Sequence, residues 1–304
     1  MRWRKLGLVF RPDTHPGWGL SHAMVPTPLV MGDRIRVYFT SLDARGRGHL
    51  GFVELDAREP TTILRGPQGP LLDPGAPGDF DQDGVVACSL VQEADRWLLY
   101  YVGFELGTQT RYRLLTGLAI SRERGESFER VSRTPVLERS DEERLFRVAP
   151  FVWKEGSSYR MWYVAGSDWT RVAGKELPVY DLRTIESHDG IHWPAAGRVR
   201  LTPADPDEHG FGRPWLVRDP DRHRLFFSVR RRSTAAYRLA YAESRDGRNW
   251  TRLDTLGLDV STSGWDSDAI MYTAVVDAHG QRLCFYNWNE FGRYGFGIAV
   301  LESD

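Results

Sequence analysis

The chain has 304 residues, of which 41% are hydrophobic and 27% charged, enough apolar material for one large core. Lys and Arg number 40 against 41 Asp and Glu, a formal net charge of -1, which gives no electrostatic case for nucleic acid or an anionic membrane. Residues 1–7 lack the apolar core of a signal peptide, and no stretch approaches transmembrane length. A cytoplasmic globular protein with no membrane insertion is expected.

The 11 Trp, 12 Tyr and 14 Phe cluster in short runs beside Val, Leu and Ile, which is strand composition. Glycine and proline break the runs at short intervals, and a sustained 3.6-residue apolar period is scarce, so helices should be few. Cys88 and Cys284 both sit inside apolar runs and read as buried thiols.

In chain order, a strand over residues 6–10 comes first and stands alone. Five units with one grammar follow: a polar tip feeding an apolar strand, a turn, an aromatic strand, and a third strand that often runs into Ser-x-Asp-Gly-x-x-Trp. Unit one has its tip and first strand over 21–30, with His22, then strands over 35–40 and 49–55. Unit two opens on Gly78-Asp79-Phe80-Asp81-Gln82-Asp83-Gly84-Val85, continues with 97–103, and closes over 115–121. Unit three runs 146–153, with Arg147, then 159–164, and ends in Ser187-His188-Asp189-Gly190-Ile191-His192-Trp193. Unit four runs 210–217, with Arg213, then 225–229, and ends in Ser244-Arg245-Asp246-Gly247-Arg248-Asn249-Trp250. Unit five has Gly264-Trp265-Asp266-Ser267-Asp268-Ala269-Ile270-Met271-Tyr272, then 283–287 and 295–300.

The matching serines Ser121, Ser187 and Ser244 lie 66 and 57 residues apart. A repeat of that length with three or four strands suits a β-propeller blade, a small sheet that must stack on its neighbours to bury both faces. The expected fold is all-β: a single-domain five-bladed β-propeller over residues 1–304 with a central axial pocket. The spare strand is expected to join the last blade and close the ring. Asp189 and Asp246 read as turn residues, with the following Trp buried between blades.

Five units, tips of the Phe-Asp-x-x-Gly-Val kind and the repeated Ser-x-Asp-Gly-x-x-Trp resemble the five-bladed propellers of the arabinanase, levansucrase and invertase superfamily. More narrowly, the tips at 78–85 and 265–272, with Phe285-Tyr286-Asn287-Trp288-Asn289-Glu290-Phe291-Gly292, are similar to a bacterial subgroup associated with polysaccharide biosynthesis. That subgroup is similar in turn to the propeller domain of plant glycosyl-inositol-phosphoceramide sugar transferases. The resemblance implies a carbohydrate-related site. Glycosidases of the superfamily usually place a carboxylate on the first strand of blades one, three and four, where this chain offers His22, Arg147 and Arg213. Only Glu208 could supply an acid in blade four, so the hydrolase triad is absent from the matching positions.

If the tips converge on the axis, they bring together His22, Asp81, Asp83, Arg147, Arg213, Asp266 and Asp268. Glycosyl cleavage or transfer needs an acid for the leaving oxygen and a base or nucleophile opposite it, and Asp81 and Asp266 are the first pair for those roles. The competing reading has Asp79, Asp81 and Asp83 capping a loop. Arg147 and Arg213 suit a carboxylate or phosphate on the ligand, or else pair with the axial aspartates. His22 serves as acid, base or hydroxyl partner, or is a structural histidine. Tyr180, Asn287 and Asn289, with Trp169, Trp265 and Trp288, are candidate sugar contacts, although propeller aromatics more often pack between blades. The run Arg230-Arg231-Arg232 reads as a solvated basic turn that could rim the mouth.

Asp79-x-Asp81-x-Asp83-Gly84 mimics the start of an EF-hand loop, but Leu90 stands where the bidentate Glu belongs. His15, His22 and His209 lack zinc spacing, and no phosphate loop or nucleophile elbow is present. No metal and no cofactor are expected. The leading reading is a carbohydrate-active enzyme, hydrolase, phosphorylase or transferase, holding an anionic sugar or phosphate-bearing ligand such as a sugar phosphate or nucleotide sugar. The rival is a non-catalytic glycan- or nucleotide-sugar-binding propeller serving polysaccharide assembly.

Overall fold

The computed structural model describes residues 1–12, 18–254 and 256–304, so His15 lies outside the described residues. Among the described residues, regular structure is almost entirely β: twenty strands and one helical turn, Asn289–Gly292. After β1 (Arg2–Phe10), the strands fall into successive antiparallel groups. The first is β2 (Ser21–Met31), β3 (Arg34–Leu42), β4 (Gly48–Asp56) and β5 (Ile63–Leu72). The second is β6 (Gly84–Gln92), β7 (Trp97–Leu106), β8 (Tyr112–Ser121) and β9 (Glu129–Arg130). The third is β10 (Phe146–Glu155), β11 (Ser158–Val172), β12 (Lys175–Ser187) and β13 (Arg198–Leu201). The fourth is β14 (Glu208–Arg218), β15 (His223–Arg231), β16 (Tyr237–Ser244) and β17 (Thr251–Arg252). The fifth has β18 (Ile270–Ala278), β19 (Gln281–Trp288) and β20 (Phe296–Ser303), and takes β1 as its fourth strand.

The first strands of the groups touch one another in the cyclic order β2, β6, β10, β14, β18 and back to β2. Each carries a bulge, with register shifts at Met24/Thr27, Ala87/Ser89, Val148/Phe151, Gly212/Trp215 and Met271/Ala274. A bulge adds a residue to one strand, bends it and re-aims a side chain. Val25, Ala149, Arg213 and Tyr272 take left-handed φ values of 53°, 52°, 25° and 58° at these places. Pro26, Pro150 and Pro214 follow three of them, where a missing N–H breaks no regular ladder.

The repeated turns join each group to the one before it. Asp189 Oδ1 accepts the amides of Ile191 and His192, and the Gly190 carbonyl receives the Tyr100 hydroxyl of β7 at 2.7 Å. Trp193 meets the same Tyr100 ring edge-on. Asp246 accepts the amides of Arg248 and Asn249, and Trp250 stands edge-on to Trp162 of β11, 5.2 Å between centroids. The Tyr38 hydroxyl of β3 donates to the Gly125 carbonyl in the third turn of this kind. Cys88 and Cys284 are free and buried.

β1 pairs with β20 from Arg2 to Phe10, longer than the 6–10 run that the sequence marks. Phe10 is 1% exposed and packs on Phe39 of the first group (4.9 Å) and Phe296 of the fifth (5.6 Å). Phe10→Ala should therefore cost about 3–5 kcal/mol in urea unfolding. Arg2→Ala, at a solvent-exposed ion pair with Glu302, should cost less than about 0.5 kcal/mol.

Candidate functional site

The five first strands surround a cavity of about 670 Å³, within the usual range for a small-ligand site. All five bulge positions, Val25, Cys88, Ala149, Arg213 and Tyr272, line it. Val86, Val102, Val148 and Val164 supply apolar wall, and hairpin tips contribute Gly46, Arg111, Ala173, Lys175 and Ala235. Among the described residues, no cluster of His, Cys, Asp or Glu converges to hold a metal ion.

Asp83 is the one carboxylate among the described lining residues, against the cations Arg111, Lys175, Arg213 and Arg230. Its Oδ2 accepts the Leu106 amide at 2.8 Å. His22, also a lining residue, is held neutral: burial and the nearby Arg293 charge lower its pKa, and Glu290 opposes them only in part.

Arg213 is 1% exposed and has no carboxylate partner among the described residues. Its guanidinium donates instead to the Pro26, Tyr272 and Cys88 carbonyls and to Thr27 Oγ1, at 2.7 to 3.2 Å. Burial lowers its pKa to about 10, which leaves it charged at physiological pH. The expectation that Arg213 grips an anionic ligand is corrected: these N–H groups are spent on the neighbouring first strands.

Arg230 is different. Its guanidinium lies 4.7 Å over the Tyr237 ring and within electrostatic reach of Tyr112, Tyr180 and Tyr272. Burial pushes the Tyr180 and Tyr272 phenols well above their ordinary pKa and raises Tyr237 as well, so these hydroxyls stay protonated. Gly210 makes room for the cluster, because a Cβ there would come within 2.7 Å of the Tyr180 ring.

Of the residues expected at the site, His22, Asp83, Tyr180 and Arg213 line the cavity. The others do not, and a recurring clasp accounts for three of them. Asp81, wholly buried, accepts Arg130 Nε of β9 at 2.8 Å and the Tyr101 hydroxyl of β7 at 2.9 Å. Glu208 is held by Arg252 of β17 at 2.6 and 2.7 Å, and Asp266 meets Lys5 of β1 at 2.5 Å. Each pairs an acid at the start of a group with a base on that group's fourth strand. Arg147 joins Glu143, which also accepts the Tyr163 hydroxyl and Arg183.

The expected acid/base pair is thus committed to structural bonds, and the correction has a local cause. Residues 78–83 and 264–268 form turns and bends before their strands begin, so alternate spacing there does not select one face. Arg147 lies in β10 between Phe146 and Val148; Val148 lines the cavity, and alternation sends Arg147 to the opposite face. Asn287 is fully buried and ties β19 to Val25 and Ala23 of β2. Asn289 and Asp268 bond to each other in a surface turn. The sequence pattern did not mark Arg111, Tyr112, Lys175, Tyr237 and Tyr272 as site residues, and it read Arg230 as part of a solvated basic turn that could rim the mouth, whereas Arg230 lines the cavity. Their signal was hairpin position, since most sit at the ends of second and third strands that reach past the first.

No family model matches the chain. The uncharacterized protein Rv1502 of Mycobacterium tuberculosis (strain ATCC 25618 / H37Rv) is 39% identical over 305 residues, spanning the whole of both chains. Among solved structures, a glycoside hydrolase aligns with a TM-score of 0.75 at 18% identity, over 99% of this chain and 92% of that one. A thermostable family-43 glycoside hydrolase aligns at 0.70 with 13% identity, over 94% and 91%. The endo-arabinase of Bacteroides thetaiotaomicron VPI-5482 aligns at 0.70 with 10% identity, over 98% of each chain. The fold is that of the β-propeller glycoside hydrolases, and these likenesses speak to fold alone.

Because Asp81 neutralises a partly buried arginine, Asp81→Asn should lower unfolding free energy by about 3 kcal/mol. Asp83→Asn, which weakens one amide hydrogen bond, should cost less than about 1.5 kcal/mol. Equilibrium urea unfolding of the two variants checks the order.

Proposed function

The chain belongs to the family of the mycobacterial protein Rv1502, and within that family we propose that it is a carbohydrate-active protein binding a saccharide in the axial cavity of a single-domain, five-bladed β-propeller over residues 1–304. The five antiparallel groups, the first three of them bridged by short parallel pairs between β4 and β6 and between β8 and β10, and the cyclic contacts of their first strands support the blade count. The glycosidase-like fold supports the ligand class. Among the described residues no helix is long and apolar enough to cross a membrane. A role in polysaccharide assembly is the setting that the resemblance implies, and a cytoplasmic location is proposed alongside it.

The observation that carries the chemistry is that Asp83 is the single carboxylate among the described lining residues, beside several cations. Glycoside hydrolysis commonly uses two carboxylates, one of them to activate water or attack the sugar. Transfer between a glycosidic oxygen and phosphate needs only one acid, because the phosphate oxygen is itself the nucleophile. The C1–O bond to the leaving group breaks, a C1–O bond to phosphate forms, and the leaving oxygen takes the Asp83 proton. In this reading His22 contacts a sugar hydroxyl, and Tyr180 belongs to the ligand-contacting wall.

A second reading, non-catalytic recognition, is favoured by the Leu106 amide, which already occupies Asp83 Oδ2. Product release from oligosaccharides and glycosyl phosphates, with and without inorganic phosphate, decides between them. Phosphate-dependent turnover falling roughly 100-fold in Asp83→Asn is the expected result. Saccharide binding without turnover, equal in wild type and variant, would establish the second reading. Phosphate-independent sugar release untouched by Asp83→Asn would overturn the one-acid scheme.

A further inference from the structure

Arg230, Arg231 and Arg232 are consecutive, yet the fold treats them differently. Arg231 lies within 3.4 to 3.9 Å of Asp205, Asp207 and Glu208, and Arg232 donates to the Pro206 carbonyl and Thr170 Oγ1. Arg230 alone lines the axial cavity, and among the described residues no carboxylate pairs with it. Its surroundings are phenols drawn from four strands: Tyr112 of β8, Tyr180 of β12, Tyr237 of β16 and Tyr272 of β18. The hydroxyls of Tyr112 and Tyr180 face each other, as do those of Tyr237 and Tyr272, and among the described residues no carbonyl or carboxylate takes up any of the four.

A half-buried guanidinium without a counter-ion is costly unless a ligand supplies the charge. We propose that Arg230 and the hydroxyls of Tyr112, Tyr180, Tyr237 and Tyr272 form a phosphate-binding subsite in the axial cavity, serving a phosphate-bearing saccharide or inorganic phosphate. The proposal rests on the axial reading above and adds where the anion sits and what it is.

The donors select phosphate over carboxylate. A carboxylate offers two oxygens in one plane, whereas a phosphate offers three terminal oxygens pointing in different directions, matching donors that arrive from several strands. A phosphate monoester also carries about -1.5 to -2 charge at pH 7. Two further cations line the same cavity: Arg111, whose guanidinium lies 5.6 Å over the Tyr112 ring, and Lys175 at a hairpin tip. Neither has a carboxylate partner among the described residues.

The test is calorimetric titration of the full chain with inorganic phosphate, glucose 1-phosphate, glucuronate and a neutral arabino-oligosaccharide. Wild type should bind both phosphates, and either phosphate more tightly than glucuronate. Arg230→Gln should weaken phosphate binding by about tenfold or more, Arg230→Lys should restore part of it because charge returns without the fork, and Tyr237→Phe should cost about threefold. Melting temperatures monitor folding, and if Arg230→Gln fails to fold, Tyr112→Phe at the half-exposed edge of the cluster carries the test with the same expected threefold loss. Wild type that ignores phosphate, an Arg230→Gln variant that binds it unchanged, or glucuronate bound as tightly as phosphate would each overturn the subsite. Oligosaccharide binding without phosphate binding would reject the subsite and leave the axial saccharide site standing. Phosphate binding lost in Arg230→Gln, with no saccharide bound, would keep the subsite and reject the saccharide reading.

Discussion

The arrangement depends on one buried cation. The Arg213 guanidinium, carried on a first-strand bulge, binds the Pro26, Cys88 and Tyr272 carbonyls and Thr27 Oγ1, joining β14 to three other first strands. Bulges make this feasible, because an extra residue frees a carbonyl from the ladder and turns it toward the ring centre. A carboxylate partner would have neutralised Arg213 with one neighbour. Carbonyl dipoles spread the interaction over several strands, and the charge survives its burial because even the depressed pKa of about 10 lies well above physiological pH.

The same bulges decide what the cavity is made of. At one structural position, the five groups place Val25, Cys88, Ala149, Arg213 and Tyr272. Three are small and apolar, which opens space beside the first three groups. The other two fill the side nearest the fourth and fifth groups, where Arg230, Tyr237 and Tyr272 gather. The cavity therefore combines a polar cluster around Arg230, to which the second and third groups add Tyr112 and Tyr180, with valine wall from those same groups, a mixture suited to a ligand with a charged end and a sugar body.

The repeat was legible because its signals are local. Paired aromatics such as Tyr100-Tyr101 and Trp162-Tyr163 mark second strands, and Asp189 and Asp246 mark turns whose Trp side chains reach the preceding group. The site was less legible because charge partners are not local. Nothing near Glu208 announces Arg252, and nothing near Asp266 announces Lys5, some 260 residues earlier. Asp81 and Asp83 look equivalent in sequence. Only the fold sends one into a blade and the other to the cavity wall.

That contrast separates structural from functional charge in this molecule. Asp81, Glu208 and Asp266 each stand near the start of a group and bind a base on that group's fourth strand, so their recurrence is itself the mark of a clasp. A residue that performs chemistry or recognises a ligand has no reason to repeat around the ring. When the second strands are aligned on their aromatic pairs, Arg230 matches Leu42, Phe104, Gly166 and Asn289, none of which carries a charge. This arginine is where the repeat breaks, and it breaks toward the cavity. Repetition identifies what holds such a ring together, and departure from repetition identifies what the ring holds.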